Sequence, residues 1–263
     1  MTVNPTLLQA GDPPAFGTEN DDSLSPILFV ADHAGRAIPK TLGSLGLDDA
    51  AMARHIAYDI GIHGVTLQLA RDLGATYVYQ PYSRLVIDCN RRPGVAQSIM
   101  TWSDGTPVPG NEGLSPAEIG QRQTEILVPY QSEIERVLKA RAARGIPTVL
   151  FAMHSCTPVF GGEPGPRPWH IGVLADQDWR IGNPLIDILA AETGFCVGRN
   201  QPYSVNPETD YTVPLHAEAN GLPYVEIEIR QDLIGDEAGQ REWAELLRDV
   251  FPRAVERAGV LPA

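Results

Sequence analysis

Two histidines stand just after apolar runs that are typical of buried strands. His33 follows the run at 27–31, and His154 follows the run at 147–153. Imidazole nitrogen is a common zinc ligand, and a catalytic zinc takes three protein ligands and leaves one position for water. The alternative for each is a hydrogen-bonded core histidine, and no HExxH, HxH or CxxC spacing is present to decide between them. Their shared position at strand ends favours a metal site.

A third metal ligand has to be a carboxylate or another histidine. Asp59 is the first candidate and Asp32 is the competitor. Asp59 has an alternative role as the cap of the helix that follows it, which is a common use of aspartate. His55 and His63 lie four residues on either side of Asp59, where surface or capping roles are expected.

The segment 84–92 ends an apolar run with an aspartate, an asparagine and two arginines. Arg91 and Asn90 together predict a carboxylate clamp, because a guanidinium offers two parallel donors and the amide adds a third. Arg84 is a further candidate for substrate binding. Asp88 is suited to accept a hydrogen bond from the outer ring nitrogen of a ligand histidine. A structural ion pair between Asp88 and Arg91 is the alternative.

The apolar segment 222–233 carries Glu226, Glu228 and Arg230 at alternate positions, which places them on one face of a strand. Glu228 is the candidate general base, because a carboxylate beside an activated water can accept its proton and pass it to a leaving nitrogen. An ordinary solvated face is the alternative for both glutamates.

Apolar runs alternate with amphipathic segments along most of the chain. This alternation predicts an α/β protein with three αβα layers around a mostly parallel, mixed central sheet. Residues 1–24 are expected to form a loosely attached N-terminal arm, and 25–263 a single domain. The predicted strands are 25–35, 76–80, 84–88, 146–155, 170–176, 195–200 and 222–233. The predicted helices are 61–75, 114–145 with a break at Pro129, 179–193 and 237–258.

The composition restricts the class of partner. The formal net charge of −13 disfavours nucleic acid and anionic membranes. A small acidic substrate stays compatible with this charge, because a few arginines dominate at contact distance. The N-terminus lacks the features of a signal peptide, and no apolar stretch is long enough for a membrane span. The 3 cysteines have no motif spacing, so a reducing cytoplasm without disulfides is expected.

Several stretches in order along the chain give it a resemblance to the N-formylglutamate amidohydrolase family, which is related to zinc carboxypeptidases and aspartoacylases. These stretches are ADHAGRAIP (31–39), HIAYDIG (55–61), YSRLVIDCNR (82–91), MHSCTPV (153–159), VGRNQPYS (197–204), DYTVPLHAE (210–218) and VEIEIRQDLI (225–234). The resemblance implies a zinc-exopeptidase-like fold and one zinc per chain. One departure is that Arg36 stands where the carboxypeptidase pattern H-x-x-E has its glutamate.

The resemblance also assigns roles to residues. It implies that His33 and His154 bind the metal and that Asp88 supports a ligand, with Arg91 on the substrate carboxylate and Glu228 as catalytic base. The same resemblance places four further residues in the substrate pocket, namely Asn200, Tyr203, Tyr211 and His216.

These observations predict a metal-dependent hydrolase of a linear amide C–N bond. It is expected to remove a formyl or other acyl group from a small carboxylate-bearing N-acyl amino acid such as N-formylglutamate. One alternative is the same chemistry on a different N-acyl or short peptide substrate. The other is a non-catalytic carboxylate-binding protein, which only the Arg36 departure favours.

Overall fold

Six of the nine strands in the described residues lie in predicted strand segments, whereas Gly17–Glu19, Trp102–Ser103 and Thr106–Pro107 do not. The structure, a computed structural model, describes residues 6–163 and 165–262. Within these residues the strands are β1 (Gly17–Glu19), β2 (Ile27–Ala31), β3 (Thr76–Tyr79), β4 (Trp102–Ser103), β5 (Thr106–Pro107), β6 (Val149–Cys156), β7 (Ile171–Leu174), β8 (Val197–Arg199) and β9 (Tyr224–Arg230).

Helices occupy the amphipathic segments between the strands. The α-helices in the described residues are α1 (Asp49–Met52), α2 (Ile62–Asp72), α3 (Pro116–Arg122), α4 (Val128–Ala143), α5 (Gly182–Glu192), α6 (Thr212–His216) and α7 (Glu237–Ala258).

Seven strands form a mixed central sheet in the order β1-β3-β2-β6-β9-β7-β8. The four strands β3, β2, β6 and β9 are parallel, whereas β1 and β7 run antiparallel to their neighbours β3 and β9. Strands β4 and β5 form a separate hairpin. The predicted α/β class with a mostly parallel, mixed sheet is confirmed.

Alternate side chains of the central strands supply two separate cores. Phe29 and Phe151 point to one face, where they pack against Phe251 of α7 and against α2 and α5. Leu28 and Leu150 point to the other face, which α4 and α6 cover. This period of two is the strand alternation expected when both faces are buried. Three layers result, and the carboxyl ends of β2, β6 and β9 meet at one edge of the sheet.

The predicted break at Pro129 is present as a π-helical turn. Helix α3 begins with Ser115 and Glu118 in a reciprocal capping box and ends at Arg122. Residues Gln123–Leu127 then form the wide turn, and α4 begins directly before Pro129. Because proline has no N–H to donate, an α-helical hydrogen bond is lost at this point and the helix widens.

The predicted strand at 84–88 is wrong. Residues 84–86 form a turn, and the apolar side chains of this segment are buried beneath a loop instead of within the sheet. Side chains satisfy its backbone, since Asn111 donates to the carbonyl of Leu85 at 2.8 Å and Arg122 to that of Val86 at 2.9 Å. An apolar run buried under a loop has the same sequence pattern as a buried strand, so the pattern alone could not separate the two.

The N-terminal segment packs against the domain over its described residues. Strand β1 belongs to the central sheet, and the N–H groups of Leu7 and Leu8 donate to the carboxylate of Glu125 at 2.9 and 3.0 Å. A loose attachment is therefore not seen for 6–24, while residues 1–5 of the predicted arm lie outside the described residues. The division of the chain at residue 24 stays a prediction.

Replacing Asn111 tests how far side chains support the buried loop. Its amide donates to the carbonyls of Leu85 and Met100 at 2.8 and 2.7 Å and accepts from Arg122 at 2.6 Å. Asn111→Ala leaves these groups buried without partners, so we expect the free energy of unfolding in urea to fall by about 2–4 kcal/mol. The exposed neighbour gives the control Glu112→Ala, for which a change below about 0.5 kcal/mol is expected. Equal losses in the two variants would contradict this role.

Candidate active site

Three predicted metal ligands converge at the carboxyl edge of the sheet. His33 follows the end of β2, and His154 lies in the adjacent parallel strand β6. Asp59 comes from the loop before α2, and its backbone N–H donates to the carbonyl of His33 at 2.9 Å. Ligand atoms of His33, Asp59 and His154 all lie within 4.8 Å of one another, and all three residues are buried.

The two imidazoles both direct Nδ1 toward one carboxylate oxygen. Oδ2 of Asp59 lies 3.5 Å from Nδ1 of His33 and 3.0 Å from Nδ1 of His154. Their outer nitrogens face other carboxylates, with Nε2 of His33 at 2.7 Å from Asp88 and Nε2 of His154 at 3.4 Å from Asp32. A carboxylate behind each imidazole is the usual support of a metal-binding histidine. Asp32 therefore lies behind a ligand, and Asp59 is the candidate third ligand.

The electrostatics of this cluster fit a cation. Burial opposes the charged forms, yet hydrogen bonds to Asp32 and Asp59 raise the pKa of His154 well above its usual value. The imidazoles in turn lower the pKa of Asp59 despite its burial. Nδ1 of His33 is buried, and the described residues give it no hydrogen-bond partner. A divalent cation can take the place of the protons that hold these buried carboxylates, and zinc accepts this N,N,O donor set.

The Arg36 departure has a structural explanation. Arg36 is exposed, and its guanidinium lies over the ring of Tyr58, 5.4 Å from the centroid. Asp59, from a different loop, places a carboxylate oxygen 3.5 Å from Nδ1 of His33, so it is a candidate for the role that the glutamate has in the H-x-x-E pattern.

Glu228 occupies the position expected for a base. It lies directly opposite His154 in the pairing of β6 and β9 and is only 7 % exposed. Burial raises the pKa of Glu228 to about 7, and the imidazole of His154 limits this rise. Its Oε2 is buried without a hydrogen-bond partner. A carboxyl group with a pKa near neutrality is suited to both accept and return a proton.

Asp88 joins His33 to Arg84. The guanidinium of Arg84 donates to Oδ2 of Asp88 from Nε at 3.1 Å and from Nη2 at 2.7 Å, and its Nη1 lies 3.6 Å from Asp59. Asp88 thus supports His33 with one oxygen and binds Arg84 with the other. The alternative ion pair between Asp88 and Arg91 is not formed by these side chains; Arg91 instead lies 3.5 Å from Asp210.

Asn90 lines the cavity and also holds the loop that precedes α6. Its Nδ2 donates one hydrogen bond to Asp210 at 3.1 Å, and its Oδ1 accepts from the backbone of Tyr211 and Thr212 at 2.9 and 3.0 Å. Binding of a substrate carboxylate by the second N–H of this amide stays a prediction. Arg91 lines the cavity, and its Nη1 also donates to backbone carbonyls of this loop region.

The candidate site is a cavity of about 610 Å³ that brings together most of the predicted residues. Besides the three candidate metal ligands it is lined by Arg84, Asn90, Arg91, Asn200, Tyr203 and Glu228. The amide of Asn200 both donates to and accepts from the backbone of Ala175, at 2.9 and 3.0 Å, so its side chain is already committed. The hydroxyl of Tyr203 accepts a hydrogen bond from the buried Arg167 at 2.8 Å.

The structure does not bring Tyr211 and His216 to this cavity. Both line a separate cavity of about 700 Å³ beside α4. Nε2 of His216 lies 2.7 Å from Oε1 of Gln131, and the amide nitrogen of Gln131 donates to Thr212. His216 is thus linked through Gln131 and Thr212 to Asp32 at the site. Contact of Tyr211 and His216 with substrate stays a prediction that this geometry does not favour.

Sequence reasoning missed several residues of the cavity. His55 lines it and lies 3.3 Å from Asp104, which reaches the site from the β4–β5 hairpin. Glu226 lines it from β9. The alternation of Glu226 with Glu228 was the available signal for Glu226. No signal identified Asp104, because its position depends on a hairpin that the sequence did not predict.

Comparison with known proteins agrees with this geometry. The family model for N-formylglutamate amidohydrolase matches residues 25–235. The chain belongs to this amidohydrolase family. The resemblance expected from the sequence is thereby confirmed, and the N-formylglutamate amidohydrolase family hydrolyses amides. No curated protein matches the chain.

Two solved structures show how the family fold is shared. The gene product Atu2144 from Agrobacterium tumefaciens is 34% identical, with a TM-score of 0.91, and the match covers 95% of this chain and 98% of that chain. The N-formylglutamate amidohydrolase from Ralstonia eutropha JMP134 is 20% identical, with a TM-score of 0.62 over 93% of this chain and 97% of that chain. In the described part of this family member, no helix combines the length and apolar character needed to cross a membrane.

The raised pKa of Glu228 can be measured directly. In metal-free protein labelled with ¹³C at glutamate carboxyls, we expect one resonance, absent from Glu228→Gln, to titrate near the pKa of about 7. Burial is the cause of the rise. Titration of Glu228 in the ordinary range of glutamate, about 4.3, would contradict the buried position.

Proposed function

We propose that this protein is a zinc-dependent hydrolase of N-acyl amino acids, with N-formylglutamate as the first substrate to test. The observation that carries the proposal is the convergence of His33, Asp59 and His154 beside the buried carboxyl of Glu228. Family membership supplies the reaction class, and the buried donor set supports the metal. The cavity of about 610 Å³ is ample for a small amino-acid derivative.

Each residue of the site has a distinct task in this proposal. His33, Asp59 and His154 would hold zinc, and bound zinc supplies Lewis acidity toward the acyl oxygen and the attacking water. Glu228 accepts the proton of that water and passes it to the leaving nitrogen. Asp88 holds the ring of His33 in orientation through the 2.7 Å hydrogen bond to Nε2.

Arg91 and Arg84 are the cations that would orient the substrate. Both line the cavity, and their side chains keep 24% and 20% exposure. We assign the substrate α-carboxylate to Arg91, because Arg84 is bound in a bidentate pair with Asp88. Asn90 contributes by fixing the loop beside Arg91. Orientation of the amide relative to Glu228 is what such a clamp adds to the rate.

Metal content is the first test of the proposal. Protein purified without chelator or histidine tag should contain about one zinc per chain, as expected for a catalytic site with three protein ligands. His33→Ala removes one of these ligands and should lose the zinc, whereas His170→Ala, outside the cavity, should retain it. Inductively coupled plasma mass spectrometry gives the stoichiometry. A protein that neither contains nor takes up zinc would favour the carboxylate-binding alternative.

The role of Glu228 is tested by its amide variant. Glu228→Gln should lower kcat/KM for the best N-acyl substrate by about 10²- to 10⁴-fold, because the amide cannot accept the proton. Zinc content should be unchanged, and the exposed Glu237→Gln should retain full activity.

The pH dependence of activity tests the same role of Glu228. A base works as the carboxylate, so wild-type activity falls as pH decreases through the pKa of Glu228, which is about 7 in the metal-free protein. Bound cation favours the carboxylate and moves this limb to lower pH. If Glu228→Gln keeps both the wild-type rate and the wild-type loss of activity at low pH, Glu228 is not the base.

A further inference from the structure

An aromatic part of the cavity wall has no task in the proposed mechanism. It consists of three side chains, His55, Phe160 and Tyr203, which together make an aromatic wall. The ring centroids of His55 and Phe160 are 6.2 Å apart. The guanidinium carbon of Arg167 lies 5.3 Å from the centroid of Phe160 and 4.7 Å from that of Tyr203. Aromatic rings bind chiefly by burying apolar area, so this wall is a surface for an apolar group.

A buried arginine holds two of these rings in place. Arg167 is 2% exposed, and its guanidinium donates to the hydroxyl of Tyr203 at 2.8 Å. It also donates to both carboxylate oxygens of Glu163, at 2.9 and 2.6 Å. Glu163 lies in the loop that carries Phe160, and Tyr203 lies in the loop that follows β8. A bidentate pair has a defined geometry, so these contacts fix the two loops relative to each other.

The β4–β5 hairpin holds the same part of the wall through a second set of contacts. Oδ1 of Asp104 accepts from the backbone N–H of Gly161 at 3.2 Å, and its Oδ2 accepts from Arg54 at 2.9 Å. Nε2 of His55 lies 3.3 Å from the same Oδ2. One carboxylate therefore connects His55 to the residue that follows Phe160. The aromatic wall is a positioned part of the site.

A formyl group makes little use of such a wall, because it has one carbon and almost no apolar area. Phe160 is half-buried and Tyr203 is 42% exposed, so both rings keep surface that a ligand can cover. The cavity volume of about 610 Å³ lies within the range of about 300–1,000 Å³ that holds drug-sized ligands. The site therefore has both the room and the surface for a larger apolar group.

The acyl half of the substrate is the part that this wall would contact. With the α-carboxylate at Arg91, the amide carbon lies beside the candidate metal ligands and Glu228. The acyl substituent is one bond from that carbon, whereas the amino-acid side chain is separated from it by the nitrogen and the α-carbon. His55 lies on the segment that also carries Asp59, a candidate metal ligand. The wall thus begins next to the position of the amide carbon.

We propose that His55, Phe160 and Tyr203 form an acyl subsite that takes an acyl group with an aromatic or similarly bulky apolar substituent. This assignment rests on the proposed function and extends it from the formyl group to larger acyl groups. Hydrolysis of the amide C–N bond then adds the hydroxyl of water to the acyl carbon and its proton to the nitrogen. The products are an apolar carboxylic acid and the free amino acid. Phe160 determines specificity by packing alone, because its side chain has no polar group.

A matched pair of substrates tests the subsite. N-phenylacetylglutamate differs from N-acetylglutamate by one phenyl ring, and the amide is otherwise the same. The zinc-loaded wild type should prefer the phenylacetyl compound in kcat/KM by about 10- to 100-fold, as expected for burial of a ring in an apolar pocket. Phe160→Ala should lower this ratio by at least about fivefold, and Phe160→Leu, which keeps an apolar side chain, should lower it less. Val159→Ala is the control, because Val159 is 60% exposed and lies outside the cavity lining, and it should keep the ratio.

Two results would overturn the proposal. One is a wild type that cleaves N-phenylacetylglutamate no better than N-acetylglutamate. The other is a phenyl preference that moves to the amino-acid side chain, with N-acetylphenylalanine favoured over N-acetylglutamate in wild type and the favour lost in Phe160→Ala. Either result leaves the proposed hydrolysis of N-acyl amino acids intact.

Binding separates failure of the subsite from failure of the proposed reaction. If neither amide is cleaved, calorimetry measures the binding of both N-acylglutamates to the zinc-loaded wild type and to Phe160→Ala. Tighter binding of N-phenylacetylglutamate to wild type alone would support the acyl subsite and contradict the proposed reaction. Equal binding of the two compounds to wild type would overturn the acyl subsite.

Discussion

The buried carboxylate of Asp59 is the interaction on which the site depends. One of its oxygens faces Nδ1 of both histidines, at 3.5 and 3.0 Å, and also accepts from the N–H of Ser155 at 3.3 Å. The backbone N–H of Asp59 returns to the carbonyl of His33. A loop carboxylate thereby joins the ends of two adjacent parallel strands. An isolated buried charge is costly, so these partners are required for the loop to stay in place.

A second set of contacts supports the site from α4 and α6, and it is built from uncharged groups as well as acids. Asn90 fixes the loop before α6, and Thr212 of that helix donates to Asp32 at 2.6 Å. Asp32 in turn lies behind His154. Gln131 donates to Thr212 at 2.9 Å from α4. These contacts connect the orientation of His154, a candidate metal ligand, to helix α4. Residues remote from the cavity therefore influence its geometry.

The sequence predicted most of the central sheet and brought together the residues that could bind a metal, because both depend on local patterns. Apolar runs that end in His33 and His154 identify the strands and their chemistry together, and the parallel arrangement then brings the ends to one edge. Asp59 could be named only as a candidate, since loop geometry decides between it and Asp32. The segment 84–88 was misassigned because burial under a loop and burial in a sheet select the same residue types.

The substrate-binding residues were the least predictable part of the site. Asn90 and Asn200 have the functional groups of ligand-binding residues, but in the structure the amide oxygen of each accepts from backbone, and the amide nitrogens donate to Asp210 and to the carbonyl of Ala175. Tyr211 and His216 line a separate cavity. A polar residue type therefore indicates that a hydrogen bond is made, but it does not identify the partner. Only the positions of donors and acceptors in the structure distinguish Arg91, which lines the cavity, from amides that hold loops.

Charge balance favours a cation at the proposed metal site, because the cavity and its surroundings hold more carboxyl groups than guanidinium groups. The cavity and its immediate surroundings contain carboxyl groups of Asp59, Asp88, Asp210, Glu226 and Glu228, against which Arg84 and Arg91 are the guanidinium groups that line it. A substrate with two carboxylates adds further negative charge to a chain whose net charge is already −13. Buried like charges at such distances cannot all remain ionised. A divalent ion between the histidines would offset part of this negative charge at the position where the proposed reaction uses it.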